Sequence, residues 1–127
     1  MEKDKPTVAL NYVGQNSETH NHLVELLLDA WTSLDPNIIE PLLAEDLHYY
    51  SWWVMSEIHS KSEYMDYIRG KFTTLRESGN KPIVKLGISS ENGEYAVALQ
   101  QGDNAPALIR IEERDGKIKE MWMQGLI

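Results

Sequence analysis

At 127 residues the chain has the length of one domain, able to bury roughly two-thirds of the surface its unfolded form exposes. Lys and Arg number 12 against 20 Asp and Glu, and the resulting charge of −8 repels phosphate backbones and anionic lipid, so nucleic acid and membranes are discounted as partners. The count of 0 cysteines removes disulfides, thiolate nucleophiles and Cys-based zinc sites together.

No stretch approaches the ~20 apolar residues of a spanning helix. The opening Met1, Glu2, Lys3, Asp4, Lys5, Pro6 lacks the apolar core of a secretory signal, so a cytoplasmic protein is expected. Residues 1–18 are polar apart from Val8, Ala9, Leu10, Tyr12 and Val13 and carry Pro6 and Gly14, which reads as an extension forming a short strand, a lid or a partly disordered arm before a single domain over 19–127. Leu23, Leu26, Leu27, Ala30, Trp31 and Leu34 then draw one apolar stripe on a helix of about four turns, capped by Ser17 or Thr19. Asp35 and Pro36 supply an N-cap and a first-turn proline for a second helix. Pro41 lacks the N–H that a helix interior needs, so that helix is expected to be short and to end near Ala44.

From Leu47 to Val54 the residues are aromatic and β-prone, and alternation divides them into Leu47, Tyr49, Ser51, Trp53 and His48, Tyr50, Trp52, Val54. Ser60 and Glu63 form a capping-box pattern that opens a third helix, with Tyr64, Ile68, Phe72 and Leu75 at helical spacing and Gly79 as its stop. Three apolar runs follow, punctuated at Glu91, Asn92, Gly93, then at Asp103, Asn104, Ala105, Pro106, and finally at Asp115, Gly116, the strongest hairpin signal. They predict strands near 83–90, 94–101, 107–114 and 117–124 in an antiparallel meander. This order is α+β and not the alternating βαβ of a parallel sheet.

A helix ending at Trp31, Thr32, Ser33, Leu34, Asp35, then the hydrophobic-acidic step Leu43, Ala44, Glu45, Asp46, then an aromatic strand and a capped helix, resembles the SnoaL-like branch of the nuclear transport factor 2-like superfamily. The likeness spans nearly all of residues 20–125; the glycine that usually precedes the third helix is here Ser60. The resemblance implies a cone in which N-terminal helices pack on a curved, mostly antiparallel sheet and enclose a pocket. It leaves the activity open, since such folds host many chemistries and many inert pockets.

Ketosteroid-isomerase chemistry in that superfamily requires a carboxylate base, a tyrosine hydroxyl and a protonated acid. The matching positions here carry Ser51, Leu27 and Leu108, which cannot substitute. The same register predicts a wall of Trp31, Tyr49, Ser51, Trp53, Met121 and Met123, with Arg110 on the inward parity, suited to a flat, mostly apolar ligand. Such side chains equally serve as plain core filling. An inward Arg110 needs Glu112 or a ligand oxygen as partner, and Arg110 and Tyr49 are the candidate polar anchors.

His20, His22, His48 and His59 show no ligand spacing, so no metal site is expected, and His20 and His22 read as exposed residues at a helix start. No Gly-flanked elbow surrounds Ser51 and no glycine loop suits a phosphate, so no cofactor is implied. His48, Tyr50 and Trp52, with Trp122 on the last strand, would form an apolar patch on the outer sheet face, expected to pair two copies as a homodimer. Two functions remain: a pocket for a small hydrophobic metabolite, or a dimeric or partner-binding scaffold with a filled core.

Overall fold

The computed structural model describes residues 17–51, 56–103 and 105–125. Its elements run in the order α1 (Glu18–Ser33), α2 (Pro36–Ile39), a 3-10 turn (Glu40–Leu42), β1 (Leu43–Ser51), β2 (Ser56–Ile58), α3 (Lys61–Ser78), β3 (Ile83–Ile88), β4 (Tyr95–Gln100), β5 (Ala107–Arg114) and β6 (Lys117–Gly125). The N-terminal extension read over 1–18 falls almost wholly outside the described residues, as do Trp52, Trp53 and Val54.

Local chemistry sets the helix ends. Ser17 Oγ accepts a 3.0 Å bond from the His20 N–H and so satisfies one orphan donor of α1. At the other end Leu34 adopts a left-handed conformation at φ 55. That costs a residue with a Cβ on the order of 1 kcal/mol. Complete burial of its side chain and a bond from Arg76 to its carbonyl hold it there.

Asp35 caps α2 through the Asn37 N–H, with Pro36 in its first turn. The helix ends at Ile39, Pro41 sits in the 3-10 turn, and β1 begins at Leu43. The second helix therefore stops short of Ala44, and the first strand opens before Leu47. Ser60 Oγ accepts from the Glu63 N–H while Glu63 Oε1 accepts from the His59 N–H, and α3 closes at Gly79 with φ 74.

The sheet is six-stranded in the order β2-β1-β6-β5-β4-β3. β1 and β6 pair parallel; every other neighbouring pair is antiparallel. The parallel pair brings the first long strand beside the last and places β1 and β2 at the far side of the meander. Register shifts in β1 against β6 and in β6 against β5 mark bulges, which bend strands and add twist. The sheet is curved and unclosed.

Its inner face carries Leu47 and Tyr49 from β1, Ile109 and Ile111 from β5, Met121 and Met123 from β6, and Val97 and Leu99 from β4. Helix α3 packs over β1, and α1 over β3, β4 and β5. Leu23, Leu27, Ala30 and Trp31 of α1 and Tyr64, Ile68 and Phe72 of α3 complete one contiguous core. Each such large apolar side chain contributes roughly 1.5–3 kcal/mol by leaving water. Among the described residues no helix is long and apolar enough to cross a membrane.

Candidate functional site

The inward residues of β1, Tyr49 and Ser51, lie beside Met121 and Met123 of β6 in parallel register. Tyr49 is 1% exposed, Met121 0%, Met123 3%, Ser51 5% and Trp31 1%, so these five expected wall residues do share one interior and are closely covered by protein atoms. Trp53, the sixth, lies outside the described residues.

Arg110 does not join them. Ile109 and Ile111 occupy the inner face, so alternation turns Arg110 outward, directly opposite Trp122. The expected inward parity of Arg110 is thereby corrected, and its partners are not the predicted Glu112. Its Nε donates to Gln124 Oε1 at 3.0 Å, and its terminal nitrogen lies 3.3 Å from Glu91.

A polar layer occurs within the interior where β1 passes under α3. Tyr64, Tyr67 and Lys71 follow one another along one face of α3. The Tyr49 ring meets Tyr64 edge-on at 5.0 Å between centroids and Tyr67 in a tilted arrangement at 5.8 Å. Its hydroxyl also points to Met123 Sδ at 4.0 Å. Burial, and then neighbouring Tyr67, hold the Tyr49 phenol far above its ordinary range, with the Ser51 hydroxyl opposing. Burial does the same to Tyr64. Burial also raises Tyr67, against a hydrogen bond from Tyr49. All three phenols are therefore neutral hydrogen-bonding groups at physiological pH and not bases.

Lys71 is half-buried, and desolvation pulls its ammonium below the ordinary lysine range. It donates at 3.4 Å to Gln101 Oε1, just beyond the end of β4. Sequence reasoning missed Tyr64, Tyr67, Lys71 and Gln101 as a group. The helical spacing of Tyr64, Tyr67 and Lys71 was the available signal, but only the packing of α3 shows that this face meets Tyr49.

The ketosteroid-isomerase positions place Leu27 and Ser51 inward, while Leu108 lies on the outer face opposite Gln124, its Cδ1 covering Gly87. The inward neighbours of Leu108, Ala107 and Ile109, are not acids either. The buried polar or charged side chains among the described residues are His20, Ser51 and Ser89, and none is a carboxylic acid. This arrangement can orient and hydrogen-bond a carbonyl or carboxylate oxygen; it offers no buried carboxylate to take a proton.

His20 is buried and not exposed as expected, because its Nε2 bonds the Tyr95 carbonyl at 3.0 Å and ties α1 to β4. With a carbonyl as acceptor, Nε2 is the nitrogen that carries hydrogen. His22 is exposed as expected. No three His, Asp or Glu side chains converge on a metal-sized site among the described residues.

The outer face carries a second constellation. Tyr50 stacks on Trp122 at 6.0 Å and 14°, His48 meets Tyr50 edge-on at 6.0 Å, and His59 meets His48 at 4.9 Å. His48, Tyr50 and Trp122, with Arg110 over the indole, make a stripe of half-exposed rings across β5, β6 and β1, with the exposed His59 at its end. Beyond it, Arg110, Trp122, His20, Asn92 and Glu94 border a surface cleft of about 290 Å³.

No protein-family model matches the sequence. No curated protein matches it either. Solved structures do match in shape. A candidate ketosteroid isomerase from Kribbella flavida aligns at TM-score 0.65 and 17% identity over 90% of this chain and 82% of that one. A SnoaL-like protein of unknown function from Burkholderia thailandensis aligns at TM-score 0.66 and 13% identity over 88% and 98%. An M. tuberculosis LEH-like epoxide hydrolase aligns at TM-score 0.57 and 22% identity over 83% and 80%. At these identities the likeness is one of architecture. Helices on the inner face of a curved mixed sheet, in this strand order and with these neighbours, give the chain the nuclear transport factor 2-like fold of the SnoaL-like proteins.

Proposed function

We propose that this domain binds a small, largely apolar molecule between α3 and the inner face of the sheet, with its polar atoms met where β1 and β4 end. The observation that supports this reading is the group of Tyr49, Ser51, Tyr67 and Lys71 set into an otherwise apolar interior. Polar groups placed in an apolar surround are what fixes a ligand's orientation in such a site. Ligands of steroid or epoxide type, suggested by the names of two structural neighbours, are of the size and polarity such a site accepts. No reaction is assigned to it. The test is titration with the neutral fluorophore N-phenyl-1-naphthylamine. Saturable binding at one site per chain, lost in Ser51→Trp, is the expected result; absence of saturable binding to the folded protein overturns the reading in favour of a filled core.

The half-exposed stripe of His48, Tyr50 and Trp122 favours a homodimer through the outer sheet face, where stacked aromatic rings would lose their remaining contact with water. Sedimentation velocity is expected to show a dimer that Trp122→Glu converts to a folded monomer. An unchanged mass in that variant places any interface elsewhere.

A further inference from the structure

We infer that the ligand class of this site is an apolar carboxylic acid in its ionised form, its head group held by the Lys71 ammonium with the Gln101 amide donating beside it. The inference rests on the pocket reading above and gives that pocket its chemistry.

Two buried side-chain nitrogens, Gln101 Nε2 and Trp31 Nε1, have no hydrogen-bond partner, and both are donors. Lys71 and Phe72, neighbours in α3 but on different faces of it, reach one each. Lys71 bonds the Gln101 amide at 3.4 Å, and Phe72 meets the Trp31 ring edge-on at 4.8 Å. A buried N–H without an acceptor is destabilising, and native proteins seldom keep one without a reason.

Lys71 adds charge to the same argument. Lys61, Lys119, Arg69 and Arg110 each lie within 4 Å of a carboxylate. Among the described residues Lys71, half-buried in a chain of net charge −8, bonds the neutral oxygen of Gln101, as Arg76 and Lys117 bond backbone carbonyls. What Lys71 and the Gln101 amide lack is one negative charge and oxygen lone pairs, and a carboxylate supplies both. A single ammonium and an amide suit a monoanion better than a phosphate, whose greater charge calls for an Arg fork or several cations.

The test compares three probes sharing one aromatic body, 2-naphthoate, 2-naphthylmethanol and 2-naphthylmethylammonium, by isothermal titration at pH 7. Naphthoate is expected to bind the native protein at least about tenfold more tightly than the alcohol, with the ammonium weakest. Lys71→Met should abolish that preference without lowering the denaturation midpoint, because it removes a half-buried charge and keeps the apolar stem. Gln101→Leu should weaken naphthoate several-fold and leave the alcohol unchanged. Equal binding of all three probes, or a naphthoate preference that survives Lys71→Met, overturns the carboxylate inference and leaves the pocket standing. If the folded protein binds none of them, the pocket reading and this one fall together.

Discussion

The guanidinium carbon of Arg110 sits 4.7 Å from the centroid of the Trp122 ring, on the sheet face away from the helices. One side chain thus joins β5 to β6 by a cation–π contact and reaches Glu91 beyond β3. Such a contact is worth about 0.5–1 kcal/mol at an exposed site and more when desolvated. Arg110→Ala is expected to lower stability by about 1–2 kcal/mol in urea denaturation, adding the Gln124 bond to that contact. Arg110→Lys should recover less than half, since an ammonium cannot stack flat on the indole while donating sideways to Gln124. A fully stable Arg110→Ala would mean that the stacking contributes nothing.

Ser51 faces the interior at 5% exposure beside Tyr49. Replacing it with tryptophan places an indole where the proposed ligand would lie, and the added volume costs about 1–3 kcal/mol. The Ser51→Trp protein is expected to remain folded by far-ultraviolet circular dichroism, to lose N-phenyl-1-naphthylamine binding, and to keep the sedimentation coefficient of the native protein. Loss of the dimer with binding intact would reverse the assignment of the two sheet faces.

Alkaline pH gives a third prediction. The buried phenols of Tyr49 and Tyr64 ionise in the unfolded chain near their ordinary value but only far above it in the folded one. Above about pH 10 the native state therefore holds more protons than the unfolded state, and stability falls as pH rises, by up to about 1.4 kcal/mol per pH unit for each phenol. Lys71 acts in the opposite sense, because its lowered value makes the native state shed a proton first; half-burial keeps its effect smaller. Urea midpoints measured from pH 9 to 11 should fall steeply in the native protein and less steeply in Tyr49→Phe. Identical slopes in the two proteins would contradict the burial of Tyr49.

His20 links the first turn of α1 to the Tyr95 carbonyl across 75 residues of sequence. His20→Ala leaves that carbonyl without its side-chain donor and is expected to cost about 1–3 kcal/mol. Amide hydrogen exchange should quicken in the first two turns of α1 and remain unchanged in α3. Uniform acceleration in both helices would show that the bond supports the whole fold and not this junction.

Much of the architecture was legible in the chain because its signals are local. Ser17, Asp35 and Ser60 cap helices where their side chains meet orphan N–H groups a few residues away. Asp115 and Gly116 both adopt positive φ, as a two-residue hairpin requires. β2 escaped notice because three residues are too few for an alternation to show. The face of Arg110 was misread for a related reason: Ala107, Leu108 and Ile109 are all buried, so apolar character does not distinguish the two sides of β5 at its start.

The sequence by itself determined the helices, the hairpins and the α+β order, since caps, turn residues and periodicity act over a handful of neighbouring positions. Tertiary structure alone decided that β1 lies parallel to β6, that Arg110 faces Trp122 rather than the methionines, and that Tyr49, Tyr67, Lys71 and Gln101 gather at one end of the interior. Those relationships join residues tens of positions apart, and which partner each side chain meets depends on how the helices seat on the curved sheet.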